Sequence, residues 1–543
     1  MEASENMNEI PVHDIIAARV LNRYDAARRR RSGWEKLWQD CYDYALPQRG
    51  GFTSESRPGA GKTEDIFDAT AMDAADQLAA SMLSHLTPSW SQWFGLKPGP
   101  DLSPAEAEKL APVLEKAAMT IQSHFDRSNF AVEIHQCYLD LVVGGTASLM
   151  FEETDPGSFS AFQFSSVPLK NIVLEEGATG ALDGAFRTLS LTLDQIRSRY
   201  ALAVIAPNVE RQGTDDPQLR FDVLEAVLPN KKGGSDYYAF LQDTGTAPEL
   251  LQTGRFDGAP IIAFRWLKSP GEIYGRSPVM KALPDIKTAN KVVELVLKNA
   301  SIAVTGIWQA DDDGVLNPAN IELVPGAIIP KAIGSKGLQP LDMPGRFDIS
   351  QLVLDSLQAR IRHALLADKL APVASPRMSA TEVLERSAEM SMLLGATYGR
   401  LQSELLTPLI KRAFNILRRR GELPDIALDG RLVAIDYRAP LARAQGQRNV
   451  QNTLSWINSV LSMGAEASLA VNLPEAARFL GDALGVPSHL IRKDLSSLVE
   501  PSLVPEVPPA PAPETAPETA PETPEKTSET TTQEGDENES VQE

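Results

Sequence analysis

The sequence predicts an α+β protein that is mainly helical, with a β-rich centre, and three observations carry that expectation. Long segments with apolar residues at three- and four-residue steps occupy both halves of the chain. Between residues 144 and 265, apolar alternation is broken at short spacing by glycines and prolines. No apolar run approaches the roughly 18 to 20 residues that span a bilayer. At 543 residues the chain is long enough for about three or four domain-sized units. Its beginning, Met1-Glu2-Ala3-Ser4-Glu5-Asn6, lacks the basic and then apolar order of an export signal, so a cytoplasmic protein without a membrane partner is expected.

The N-terminal elements are helical. From Asp14 to Tyr44, Ile15, Ile16, Val20, Leu21, Tyr24, Trp34, Leu37, Trp38 and Tyr42 mark a helix that Pro47 ends. Arg28 to Arg31 at its middle read as a solvated face or a polar contact between subunits, with a phosphate contact as the alternative. An Ala-rich helix spans Ala69 to Leu86, and "TPSWSQWFGL" (87–96) reads as a turn entering an aromatic strand. Ser103 as N-cap and Pro104 at the first helical position begin another helix, followed by one from Phe130 to Val142. "SLMFEE", "FSAFQFSSV", "LRFDVLEAVL", "DYYAFLQ" and "APIIAFRWL" are strands, interrupted by a short helix near Leu193 to Tyr200.

Helices return after residue 271. From Leu283 to Ile302, Ile286, Ala289, Val293, Val296 and Ala300 fall on one stripe, and Lys287, Lys291 and Lys298 lie within about 40° of one another on the opposite face. Glu294 shares that face and can pair with Lys298, which dilutes the positive stripe. A Gly- and Pro-rich insertion runs from Gly306 to Arg346, and a second helix carries Leu354, Leu357, Ile361 and Leu365. Pro372 and Pro376 break the chain before a capping box, Ser379-Ala380-Thr381-Glu382, that starts a long helix reaching Arg420 and stopping at Gly421. Pro408 inside it removes the bond to Glu404, so a kink is expected near Thr407. A helical remainder spans about Leu441 to Leu498.

Charge and cysteine usage exclude several classes. Half of the net charge of −20 sits in residues 501–543, where eleven acidic residues, one lysine, three APET repeats and no aromatic residue predict a disordered tail. The remaining acidic balance argues against a strongly basic, sequence-reading nucleic-acid binder. Two cysteines, Cys41 and Cys137, and six scattered histidines build neither a disulfide framework nor a metal site; His124, His135 and Cys137 read as helix packing. No cofactor is expected.

Two motifs look chemical and fail on spacing. Gly61-Lys62-Thr63 ends like a nucleotide-binding P-loop, but the glycine required five places before Gly61 is Ser56, and no strand precedes it. It reads as a mobile surface loop with Lys62 as a surface charge. Asp311-Asp312-Asp313-Gly314 has the look of a calcium loop, with Gln309 at the first ligand position and Asn320 at the last, and reads as an acidic turn.

This order of elements resembles the head-to-tail connector, or portal, family of short-tailed bacteriophages, from about residue 14 to 500. "GKTEDIFDATAMDAADQLAASMLSHLTPSWSQWFGL", "GEIYGRSPVMKALPDIKTAN" and "MSATEVLERSAEMSMLLGATYGRLQSELLTPLI" carry the resemblance by their joint order and spacing. It implies a twelve-fold ring around a channel for double-stranded DNA, at one capsid vertex of the virion, assembled in the host cytoplasm. On that pattern 1–143 is a helical wing region, 144–270 a β-rich wing subdomain, 271–305 the first stem helix region and 306–346 the clip. The second stem helix is 347–368, the channel loop 369–379, the long kinked helix 380–424, a crown-like helical region 425–500 and the tail 501–543.

The resemblance further implies non-specific passage of DNA and docking of the terminase large subunit. Major capsid and scaffolding proteins, and then tail adaptor and tail proteins, are the other implied partners. Lys287, Lys291 and Lys298, and Lys369 and Arg377 flanking the channel loop, read either as channel lining or as solvated charges in salt bridges. Asp311, Asp312 and Asp313 are candidates for meeting the motor or the tail. Ring closure makes the two stem stripes candidates for packing within and between subunits. The function expected is a structural DNA conduit without enzymatic activity. A non-enzymatic virion scaffold or adaptor, and a P-loop packaging ATPase, are the alternatives; the latter needs a Walker B strand that the sequence does not contain.

Overall fold

The computed structural model describes residues 12–49, 51–52, 63–231, 233–242, 248–305, 308–310, 338–340, 347–370, 395–426, 428–464 and 470–484. The chain divides into two units, 1–491 and 492–543, and every described residue belongs to the first. The Gly-rich loop up to Lys62, most of the insertion with Asp311, Asp312 and Asp313, the segment holding Arg377, the start of the long helix and the acidic tail lie outside the described residues.

Helix α1 (Val12–Ala45) joins two cores. Its first half lays Ala17, Val20, Tyr24 and Ala27 against Val173, Phe186, Leu224, Ala226, Leu228 and Phe240 of a five-stranded sheet. Its second half sends Trp38, Cys41 and Tyr42 into the main core, beside α2 (Thr70–Leu86), α3 (Pro104–Arg127) and α4 (Phe130–Gly144). Between the halves Arg31 is buried and donates to the carbonyls of Ile172 (2.9 Å) and Lys170 (2.8 Å). This corrects the solvated reading of Arg28 to Arg31 at one residue: Arg28, Arg29 and Arg30 are exposed, whereas Arg31 fixes the helix to the sheet.

Strand β1 (Phe94–Pro98) follows α2, and α3 begins with a capping box in which Ser103 and Glu106 satisfy each other's backbone donors. Strands β2 (Thr146–Glu153), β3 (Phe162–Val167) and β9 (Ile261–Arg265) form an antiparallel sheet in the order β3-β2-β9. Its inner face meets α3 and α4 through Phe151, Phe162 and Phe164, which cluster with Phe125 and Phe130 at ring separations of 4.4 to 6.5 Å. Strands β4 (Ile172–Glu176), β5 (Leu182–Thr192), β6 (Arg220–Pro229), β7 (Ser235–Leu241) and β8 (Glu249–Phe256) make the five-stranded sheet in sequence order. Helices α5 (Leu193–Arg199) and α6 (Pro207–Asp215) interrupt it. Glu225 on β6 is buried and accepts from Arg199 Nε (3.0 Å), Tyr200 (2.8 Å) and Tyr237 (2.8 Å), so a paired carboxylate holds the end of α5 to the sheet.

Helix α7 (Pro278–Thr305) leads to the short strands β10 (Trp308–Ala310) and β11 (Leu338–Pro340), which pair with each other, and α8 (Phe347–Ala364) returns alongside α7. Leu366 adopts φ 59° and separates α8 from α9 (Ala367–Leu370), so the expected second stem helix to residue 368 is broken two residues past Ala364. After α10 (Gly395–Leu401) the long helix passes through one π-helical segment, Gln402–Leu406, into α11 (Thr407–Arg419). Gly421, at φ 76°, ends it. Strand β12 (Val433–Tyr437) pairs antiparallel with β1, and α12 (Pro440–Ser462) and α13 (Leu473–Leu484) come after it.

The two sheets, the segment leading into α7 and the π-helical turn before α11 meet at one buried ion pair. Arg265, at the end of β9, is 1% exposed; its Nη2 lies 2.6 Å from Glu404 and 3.0 Å from the carbonyl of Gly180, and its Nη1 donates to Ile273 O at 3.0 Å. Glu404 also accepts from the Arg265 backbone N–H (2.9 Å) and from Arg400 (3.0 Å). Removing one partner of such a pair strands a buried charge, at a cost of about 3–5 kcal/mol.

A second fixed point lies next to it, where the end of α4 crosses the approach to α7. Gly145 takes φ 74°, and a methyl built on Gly275 would overlap the Gly145 carbonyl oxygen. Around this crossing Trp38 donates to Gly144 O (3.0 Å), Gly275 N–H to Thr146 Oγ1 (2.8 Å) and Ser277 to Val143 O (2.8 Å). Gly275→Ala is expected to destabilise the protein by about 1–3 kcal/mol through overpacking. A melting midpoint equal to that of the unaltered chain would contradict the close crossing.

Candidate nucleic-acid interface

Helix α7 starts where Ser277 accepts from the backbone N–H of Met280 (2.9 Å), with Pro278 in the first turn, where its missing N–H costs nothing. Of the expected stripe, Ile286 and Ala289 are buried, while Val293, Val296 and Ala300 are half-buried. On α8, Leu357 and Ile361, with Leu365 just past the helix, are buried and Leu354 is half-buried. Across the two helices Arg360 meets Asp285 at 2.8 Å.

The three lysines of α7 meet different partners. Lys287 sits 2.8 Å from the Asp40 carboxylate of α1 and 5.7 Å from the centre of the Tyr44 ring. Lys291 and Lys298 share one carboxylate, Glu294, at 2.9 and 2.6 Å. Hydrogen bonds from Lys298 and then Lys291 hold the Glu294 carboxyl below its ordinary range, so it stays ionised to lower pH than a free side chain. The lysine side chains are nevertheless 62% and 64% exposed, and each ammonium has donors beyond the one that Glu294 accepts. Lys287 is tied to α1, and Lys291 and Lys298 stand on an open face.

Asn290 is the residue that sequence reasoning missed. Buried in α7, its Oδ1 accepts from the backbone N–H groups of Phe67 (2.6 Å) and Asp68 (3.1 Å), and its Nδ2 donates to Asp65 O (2.9 Å). A lone amide beside the apolar Ala289 was the available signal. This clamp fixes the segment that leaves the Gly-Lys-Thr loop. Thr63 to Ala69 is turn and irregular chain, and α2 begins only at Thr70, whereas a P-loop opens its helix at the Lys-Thr step. Gly51 and Phe52 before the loop are not a strand.

Pro408 lies in the first turn of α11, directly after the π-helical turn. Its ring supplies no N–H to the Glu404 carbonyl, and the chain instead closes wider rings: Thr407 bonds Gln402 O through its backbone N–H and through its hydroxyl at 2.8 Å. Glu404, in the middle of that turn, is the partner of Arg265. Lys369 lies in α9, with its side chain outside the described residues.

The His124 and Cys137 region is structural. His124 Nδ1 accepts from the Ala161 N–H (3.1 Å) and its Nε2 meets Glu422 at 2.8 Å. Cys137 is buried, which pushes its thiol up to about 12. Among the described residues no group of His, Cys, Asp and Glu could hold a metal ion, and no helix is long and apolar enough to cross a membrane.

Known proteins align with this arrangement along most of its length. The family described as bacteriophage head to tail connecting protein matches residues 17–491. The portal protein of Salmonella phage epsilon15 is 24% identical over 507 residues, covering 87% of this chain and 88% of that protein. The probable portal protein of Bordetella phage BPP-1 is 25% identical over 507 residues with the same two coverages. The portal protein of Enterobacteria phage T3 is 24% identical over 417 residues, 74% of this chain and 75% of its own. From residue 17 to 491, therefore, the chain belongs to the bacteriophage head-to-tail connecting protein family.

Proposed function

We propose that this chain is the subunit of a closed portal ring at one vertex of a phage capsid, with an axial channel through which double-stranded DNA is packaged and ejected. The observation that carries the reading is the family match from residue 17 to 491, which takes in both stem helices and the long helix. In this reading the ring docks the terminase large subunit during packaging and the tail adaptor and tail proteins afterwards. It contacts major capsid and scaffolding proteins as the head is built in the host cytoplasm.

The physical demand on such a ring is that DNA slides. A tight cationic contact to phosphate adds affinity by counterion release and would hold the duplex in place. A chain that pairs Lys287 with Asp40, and sets the single carboxylate of Glu294 between Lys291 and Lys298, keeps only a modest positive stripe, which suits passage without a deep well. ATP chemistry belongs in this reading to the docked motor, and the ring itself catalyses nothing.

Native mass spectrometry of the purified protein is expected to give closed species near twelve copies of the 59.0 kDa chain, and a monomer or dimer under assembly-like salt would overturn the ring reading. Lys62→Ala is expected to leave DNA packaging unchanged; packaging lost together with a measurable ATP turnover would reinstate the ATPase.

A further inference from the structure

We propose that the open lysine face of α7 is a seam between subunits, in which Lys291 and Leu295 of one copy pack against Asp355 and Leu352 on α8 of the adjacent copy. The inference rests on the ring reading and deepens it by assigning the surface through which one stem meets the next.

The two helices leave opposite faces open. At 100° per residue, Lys291, Leu295 and Lys298 fall within about 60° of one another, away from the stripe that α7 turns toward α8. Leu295 is 49% exposed in the midst of those ammoniums. On α8, Leu352 and Asp355 fall about 60° apart, on the side away from Leu357 and Ile361. Leu352 is 73% exposed and Asp355 is exposed, with Gln351 as its hydrogen-bond donor at 2.9 Å. Each open face thus carries a leucine flanked by charge, positive on α7 and, at the height of Leu352, negative on α8, where Arg362 follows Asp355 on the same face two turns along, near the Asp285–Arg360 level.

The heights agree as well. The Asp285–Arg360 pair places those two residues side by side. Counting equal steps away from it along both helices puts Lys291 level with Leu354, and Leu295 level with Ser350, so Leu352 and Asp355 lie within the same one to two turns as Lys291 and Leu295. Hairpins standing at one height around an axis therefore bring the basic face of one against the acidic face of the next, in the head-to-tail manner that closes a ring. A leucine at the centre of the lysine face suits a protein neighbour and contributes nothing to phosphate. Glu294 supplies one carboxylate for two lysines, and Asp355 of the adjacent copy supplies the second.

The test is charge reversal read by native mass spectrometry. Lys291→Glu with Lys298→Glu should convert rings to monomers while leaving the melting midpoint of the monomer near that of the unaltered chain, because both side chains are mostly in water. Adding Asp355→Lys to the same chain should restore the ring. As a second readout, a chain carrying Leu295→Cys and Leu352→Cys should give, under oxidation, a ladder of covalent oligomers; the two positions face away from each other within one chain. Reversed-charge variants that still form rings, or a cysteine pair that yields no ladder from assembled rings, would overturn the seam alone. An unaltered chain that forms no ring would overturn the ring reading and the seam with it.

Discussion

Arg265 and Glu404 meet where segments from distant parts of the chain converge, and the described fold depends on that pair. Arg265 ends the central sheet, reaches the Gly180 turn of the five-stranded sheet, and holds the carbonyl of Ile273 on the way into the first stem helix. Glu404 belongs to the π turn of the long helix. A guanidinium with five fixed donors can satisfy all of these acceptors at once, which a lysine could not. Burying the pair contributes little net stability, because desolvation offsets the attraction. Its effect is positional: stem, sheets and long helix have one relative placement in which the buried charge is neutralised.

That placement serves the proposed conduit by giving α7 a fixed base. A channel wall needs to hold its shape while a charged polymer moves past, so the useful properties are rigidity at the stem base and charge already balanced within the protein. The Gly145–Gly275 crossing and the Asn290 clamp supply the first, by fixing the root of α7 to α4 and to the segment before α2. Asp40 beside Lys287, and Glu294 shared by Lys291 and Lys298, supply the second in part. The Gly-Lys-Thr loop takes its meaning from the same clamp: residues 65–68, just past the loop, form a strap docked on the stem helix, and the helix that a phosphate-binding loop would open is displaced to Thr70.

Much of this was legible in the residues, and the failures have common causes. Helices with long apolar stripes, the Ser103 N-cap, the β-rich centre and the stop at Gly421 all rest on local signals and lie where expected. Strand β8 buries only Leu251, so it reads as polar chain, and β5 holds three consecutive buried residues instead of alternating. Strand β12 lies within the region expected to be helical, because its partner β1 is more than three hundred residues away and no local pattern announces the pairing. Arg31 reads like its three exposed neighbours because composition cannot tell which face of a helix meets a sheet. The lysine stripe was visible, but Asp40 as a partner of Lys287 is a tertiary fact.

In the proposed ring, DNA passes along the axis formed by the copies of this chain. Electron cryo-microscopy of DNA-filled particles, reconstructed around a single vertex without imposed capsid symmetry, tests it most directly. The expected result is one vertex occupied by a ring into which this fold fits, with a rod of duplex density on its axis. A ring absent from every vertex, or this chain distributed over the whole shell, would contradict it.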